Sequence, residues 1–238
     1  MPRVPPSDAL TNLKRNLEAV RNRTEAACRR VGRDPKEITL VAVTKYVDAS
    51  IAQILVELGQ LDLAESRPQE LWKKAAEVSG DVRWHLVGHL QSNKIRRTLP
   101  VVSMIQSIDR WELADEISRE AMKQGIVVRS LFEVKLTDEA AKHGFEPHEL
   151  RSRWMEFLQL PGIKIEGLMG MAALDAGEEG CRNAFRSLRD LRDILKTPDH
   201  SLPILSMGMS GDFEIAIEEG ATHVRIGSAL FEGLTGDQ

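Results

Sequence analysis

Ile38-Thr39-Leu40-Val41-Ala42-Val43-Thr44-Lys45 decides how the rest of the chain is read. The stretch is nearly continuously apolar and rich in β-branched residues. That pattern suits a strand covered on both faces, as in a parallel sheet. Upstream, Leu10, Leu13, Leu17, Val20, Ala27 and Val31 recur at helical spacing between a Pro5-Pro6-Ser7 start signal and a Gly32 stop. Downstream, Ile51 to Leu58 returns to the helical period and Gly59 closes it. A helix, a buried strand and a second helix therefore succeed one another within the first sixty residues.

The alternation continues to the end. Strands are predicted over 38–44, 61–64, 82–87, 102–107, 127–135, 163–169, 203–206 and 222–226. Helical patterns fill the gaps, most clearly over 110–124, 148–158, 179–195 and 212–219. Strands alternating with helices imply a parallel α/β sheet with right-handed crossovers. Eight such units close into a (β/α)8 TIM barrel, here with an extra N-terminal helix. A doubly wound open sheet fits less well, because no glycine-rich loop follows the first strand. No linker or charge block divides residues 1–238, so a single domain is expected.

Composition narrows the partners. With 32 basic against 36 acidic residues the net charge is −4. This disfavours nucleic acid as the main partner but leaves room for a small anion in a local positive pocket. Cys28 and Cys181 lie in helical patterns without metal-ligand or CxxC spacing, and read as reduced thiols. Met1 to Pro6 holds no signal-peptide core, and no apolar run nears the roughly 20 residues of a membrane span. A cytoplasmic protein, monomeric and without a membrane partner, is expected.

In a (β/α)8 barrel the chemistry sits where the strands end. Lys45 leaves the first strand there. An amine walled by apolar side chains is disfavoured in its charged form, and a neutral amine can condense with an aldehyde. The plainer reading is a lysine that snorkels into solvent. Ser206-Met207-Gly208-Met209-Ser210 and Gly227-Ser228 follow the last two strands, each before a helical turn. Together they offer hydroxyls and free N–H groups to an anion, a phosphate above all. They also read as two ordinary turns of small residues. Arg225 lies between Val224 and Ile226, so period two sets it on one face with Gly227. If that face is interior, the arginine needs a partner: a ligand phosphate, a pyridine nitrogen, or a carboxylate such as Glu65. His85 and His89 flank a strand exit and read as pocket-lining or structural residues rather than as a metal site. Lys94, Arg96 and Arg97 read as a solvated helix face. Met104, Met169, Met171, Met207 and Met209 read as barrel filling and pocket wall.

Longer motifs make the pattern specific. Val41-Ala42-Val43-Thr44-Lys45, Glu65-Ser66-Arg67-Pro68-Gln69-Glu70-Leu71 and the block Trp84-His85-Leu86-Val87-Gly88-His89-Leu90-Gln91-Ser92-Asn93-Lys94 come first. Gln106-Ser107-Ile108-Asp109, Lys142-His143-Gly144, Gly167-Leu168-Met169 and the stretch from Leu205-Ser206-Met207-Gly208-Met209-Ser210 through Asp212-Phe213-Glu214 to Val224-Arg225-Ile226-Gly227 follow in order. Together they resemble the pyridoxal phosphate homeostasis protein family across nearly the whole chain. The resemblance implies a fold like the N-terminal barrel of alanine racemase and pyridoxal 5'-phosphate (PLP) as cofactor, held as a Schiff base on Lys45. It implies phosphate contacts from Ser206 and from backbone around Gly208, Gly227 and Ser228, and Arg225 facing the pyridine nitrogen; Ser210, in the same turn, is a further candidate cofactor contact. An arginine there keeps that nitrogen unprotonated, which suits holding PLP better than catalysis with it. The implied role is PLP supply or buffering, with PLP-dependent apoenzymes as recipients. Three positions depart from the family pattern: Leu63-Ala64-Glu65-Ser66 replaces Phe-Gly-Glu-Asn, Lys135 replaces an asparagine, and Tyr46 adjoins the lysine.

Two rivals remain open. An amino-acid racemase of the same fold would need an acid/base on the opposite ring face. The related racemases take a tyrosine for this from a second domain. Here the lone tyrosine is Tyr46 and the sequence stops soon after the eighth strand, so turnover is not expected. A scaffold barrel without PLP would leave Lys45 and the two turns without purpose.

Overall fold

The computed structural model describes residues 6–137 and 143–234. Pro5 of the start signal and Lys142 of the Lys142-His143-Gly144 motif lie outside them. Eight parallel strands close in sequence order: β1 (Thr39–Val43), β2 (Asp62–Glu65), β3 (Arg83–Leu86), β4 (Met104–Ile108), β5 (Val128–Val134), β6 (Ile163–Gly170), β7 (Ile204–Ser206) and β8 (His223–Ile226). All eight predicted strands are present, most trimmed by a residue or two at an end. β1 closes the barrel, pairing Ala42 with Leu63 of β2 and with Ile226 of β8.

Alternate residues divide each strand between two cores. Val41, Val43, Ala64 and Val87 pack together inside the barrel, as do Met104, Leu131, Met169 and Ile204 with Met171. Ala42, Leu63, Leu86, Ile105, Phe132, Leu168, Leu205, Val224 and Ile226 face outward beneath the helices. Both faces are thus apolar, which is why the strands read as unbroken hydrophobic runs.

The helices are α1 (Pro6–Arg30), α2 (Ala49–Glu57), α3 (Pro68–Glu77), α4 (Ile95–Thr98), α5 (Trp111–Gln124), α6 (Pro147–Phe157), α7 (Gly177–Leu195) and α8 (Phe213–Glu218). α1 is the expected N-terminal helix, and it is built into the helical ring. It packs against α8 and α2 and fills the ring position of a helix following β8. Buried Asn16 donates to the carbonyls of Leu230 and Glu232 at 3.0 and 2.9 Å. Just beyond α1, Arg33 donates to the carbonyls of Ile217 and Ala221, both at 2.8 Å. Cys28 and Cys181 are buried free thiols, and burial raises both above the ordinary thiol range.

Outside β1 and β2 lies a sealed ion pair. Lys74 of α3 contacts Glu65, with side chains only 4% and 1% exposed. Lys74 also donates to the Thr44 carbonyl at 2.7 Å, and the Thr44 hydroxyl donates to Glu65 at 2.6 Å. This box fixes the strand end that leads to Lys45. Removing one partner of a buried pair leaves an uncompensated charge, which costs about 3–5 kcal/mol. Lys74→Met is therefore expected to lower unfolding free energy by that amount, measured by urea denaturation. A loss below about 1 kcal/mol would mean that Glu65 finds another partner.

Candidate functional site

Period two carries a second set of residues inward: His85 from β3, Gln106 from β4, Glu133 from β5, Ser206 from β7 and Arg225 from β8. Arg225 is buried, only 5% exposed. One terminal nitrogen donates to Ser206 Oγ at 2.7 Å and the other to the Gly170 carbonyl at 3.0 Å. Ser206 donates to Gln106 Oε1 at 2.6 Å. Gln106 Nε2 lies 2.8 Å from His85 Nδ1, and His85 Nε2 lies 3.1 Å from Asp62 Oδ1. With the proton on His85 Nε2, every donor in this chain meets an acceptor, from Arg225 down to Asp62. Arg83 closes it with hydrogen bonds to both Asp62 oxygens, at 2.8 and 2.5 Å.

Glu65, the carboxylate considered for Arg225, is on the other side of the wall with Lys74. Arg225 is held by neutral groups instead. Burial lowers its pKa to about 10, against the pull of Glu133 and Asp212. It therefore remains a cation at neutral pH, with its charge only distantly compensated. Burial, reinforced by the nearby Asp109 carboxylate, pushes Glu133 up to about 7, and Arg225 only partly offsets this. Burial likewise raises Asp212. At the floor, burial opposes ionisation of Asp62, but hydrogen bonds from Arg83 and His85 outweigh it and hold the carboxyl well below its usual range.

The two final turns meet beside Arg225. Ser210 Oγ lies 3.4 Å from the Gly227 N–H and 3.3 Å from the Ala229 N–H, so backbone donors converge on one point. Ser228 is exposed next to them. Gly208 has φ +93, and a Cβ there would sit 2.6 Å from that of Ala216. Only glycine fits this turn. A Cβ on Gly227 would fill the space beside Val43, at the end of β1. Two expectations shift. The turn before α8 is already capped, because the Met209 N–H donates to Asp212 at 2.5 Å. Ser206 is completely buried in the Arg225 chain and does not stand in the turn.

Lys45 sits in the turn after β1 and is exposed. The apolar wall expected around it is absent: its ammonium lies 4.7 Å from the centroid of the Tyr46 ring. Arg97 and Lys94 also differ from a purely solvated face, lying 4.3 and 5.9 Å from the centroid of Trp72. His85 lies beneath the pocket and His89 on its rim, with separate partners. Clefts of about 210 and 410 Å3 open among strand-start residues such as Lys164 and Arg83. The mouth is distinguished by its chemistry instead: a buried cation, convergent N–H donors and a lysine at one strand end.

Comparison with known proteins agrees with this geometry. Residues 10–234 match the family described as alanine racemase, N-terminal domain. A pyridoxal phosphate homeostasis protein of Aquifex aeolicus is 41% identical over 222 residues, covering 92% of this chain and 97% of that relative. The chain belongs to the pyridoxal phosphate homeostasis protein family. The Escherichia coli K12 member of the family is 34% identical over 230 residues. PipY of Synechococcus elongatus, solved with PLP bound, superposes with a TM-score of 0.83 at 33% identity, covering 92% of this chain and 99% of that one. It was also solved without PLP. Alanine racemase of Clostridium difficile shares the fold at a TM-score of 0.75 and 17% identity, this chain covering 56% of its length.

Where pyridoxal phosphate homeostasis proteins usually carry asparagine, Lys135 pairs with Glu146 at 3.1 Å. Ser66 contributes backbone: a Cβ on Gly88 would come within 2.3 Å of its carbonyl oxygen.

Glu133 allows a test by pH. The folded carboxyl titrates near 7 and the unfolded one near 4.5. The folded state binds more protons between those values, so stability falls as pH rises from 4.5 through 7 and then levels off. Glu133→Gln removes that dependence. Relative to wild type, the variant is expected to gain about 2–3 kcal/mol between pH 4.5 and pH 8 in urea unfolding. A constant difference would show that folding does not raise the Glu133 carboxyl above its ordinary range.

Proposed function

We propose that this chain binds PLP at the barrel mouth and supplies or buffers it for PLP-dependent apoenzymes. The observation that carries the reading is Arg225, a buried guanidinium held by neutral partners, set beside a turn where N–H donors converge. An anionic heterocycle completes such a site. Family membership and the PLP-bound PipY structure support the same reading.

The donor set fits the ligand group by group. Backbone N–H groups of Gly227 and Ala229, with the Ser210 and Ser228 hydroxyls and the tight turn at Gly208, would hold the phosphate. Arg225 would face the pyridine nitrogen; as a pure donor it would leave that nitrogen unprotonated. Ser206 acts one step back, aiming the guanidinium. Lys45 would turn from Tyr46 into the mouth. PLP supplies an aldehyde with which a lysine amine condenses, and a ring whose electron-withdrawing power depends on that nitrogen. With the nitrogen unprotonated, these residues favour retention of the cofactor over carbanion chemistry.

The setting follows from this role. Among the described residues no helix is long and apolar enough to cross a membrane. The proposal places a monomer in the cytoplasm, where recipient apoenzymes are made.

Lys45→Ala is expected to abolish the borohydride-stable PLP label while leaving the barrel folded, as read by peptide mapping and circular dichroism. A label on another lysine would overturn the assignment. Arg225→Gln is expected to weaken PLP binding by a charge-assisted contact, about 1.5–3 kcal/mol or roughly 10–100-fold in Kd, and to shift the visible spectrum. Holo-protein is expected to reactivate a PLP-depleted enzyme and to convert no amino acid over multiple turnovers. Sustained racemisation would replace the carrier reading with an enzymatic one.

A further inference from the structure

On the rim opposite the β7–β8 turns, three side chains from separate segments converge. His89 follows β3, Asp109 directly follows β4 and His143 follows β5. His89 Nδ1 lies 3.3 Å and His143 Nδ1 3.7 Å from the same oxygen, Asp109 Oδ2. All three candidate ligand atoms lie within 4.8 Å of one another. The imidazoles stack with centroids 4.9 Å apart.

These spacings are poor for hydrogen bonds, for which N–H···O distances cluster near about 2.9 Å. They suit a shared cation better. Tetrahedral zinc with bonds of roughly 2.0–2.1 Å separates its ligand atoms by roughly 3.3–3.4 Å. The carboxylate is prepared for that role. Its side chain is 4% exposed, and its other oxygen accepts from Arg110 at 2.6 Å, which fixes the plane and leaves Oδ2 facing the imidazoles. The histidines are 39% and 65% exposed, giving a cation a way in.

We propose that His89, Asp109 and His143 form a zinc-type divalent metal site on the barrel rim. Two imidazoles and one carboxylate select a borderline transition metal over calcium or magnesium, which prefer all-oxygen shells. Three protein ligands leave a fourth position for water or an external ligand. The bound cation would pin the segment after β5 to the segment after β3, bracing one side of the mouth. The site stands apart from the PLP reading, since none of its ligands belongs to the proposed PLP contacts.

The test is direct titration of the tag-free protein with Zn2+ against a chromophoric chelator, and with Co2+ monitored by visible absorption. One equivalent is expected to bind, with Co2+ giving the intense bands of four-coordinate geometry. His89→Ala and His143→Ala should each weaken Zn2+ binding at least tenfold and abolish those bands. Arg110→Ala should weaken binding less, and His200→Ala, a remote control, should leave it unchanged. Circular dichroism verifies that each variant is folded. Failure to bind one equivalent, or binding that survives the double variant His89→Ala/His143→Ala, would overturn the proposal and mark the cluster as a polar rim.

Discussion

A guanidinium sealed inside a protein must be given hydrogen-bond partners, and its charge must be tolerated or matched. Arg225 imposes that demand at the centre of this barrel. Ser206 and the Gly170 carbonyl take two of its donors. Ser206 accepts from Arg225 while donating to Gln106, and Gln106 is in turn oriented by His85 and Asp62. Four strands thus commit inward positions to holding one side chain. The interior divides as a result, with apolar packing sharing the barrel with a polar chain that runs to its floor.

The outer layer protects that arrangement. The Lys74–Glu65–Thr44 box fastens the end of β1 to β2 and α3, and so sets the base from which Lys45 emerges. α1 fills the helix position that would follow β8. Through Asn16 it ties down the backbone at Leu230 and Glu232, just beyond the Gly227–Ala229 donors. A single misplaced strand end would therefore be felt at the mouth, because the functional groups there come from the ends of three strands, β1, β7 and β8.

Electrostatics divides the mouth into two sides. Near β8 the buried cation and the N–H groups that converge on Ser210 favour an anion. Near β4 and β5, Asp109 and Glu133 lie close enough for their charges to interfere, so burial and mutual repulsion raise Glu133 toward neutrality. Protonated Glu133 reduces the negative charge around Arg225, leaving the cation to attract a ligand. Lys45 differs from these fixed groups. Resting on Tyr46, it is the one proposed contact that must move, whereas the cradle is built into the turns.

The sequence by itself determined the architecture. Eight apolar runs alternating with helical periods specify a parallel barrel, and motif order across nearly the whole chain specifies the family. It also determined that Lys45, Arg225, Gly208 and Gly227 lie at strand ends, because period two and strand length are local properties. The tertiary structure alone decided which groups meet. Glu65 lies next to the lysine's strand in sequence and pairing, yet it turns outward to Lys74. Ser206 was grouped with its neighbours in the turn, but barrel closure carries it to Gln106, a hundred residues away in the chain. Asp62 carries no local signal and Glu133 is marked only as a polar residue near the end of the fifth strand: their roles arise from burial and from charges on other strands. Hydrogen-bond partners and electrostatic environments depend on distances across the barrel, and no one-dimensional period encodes them.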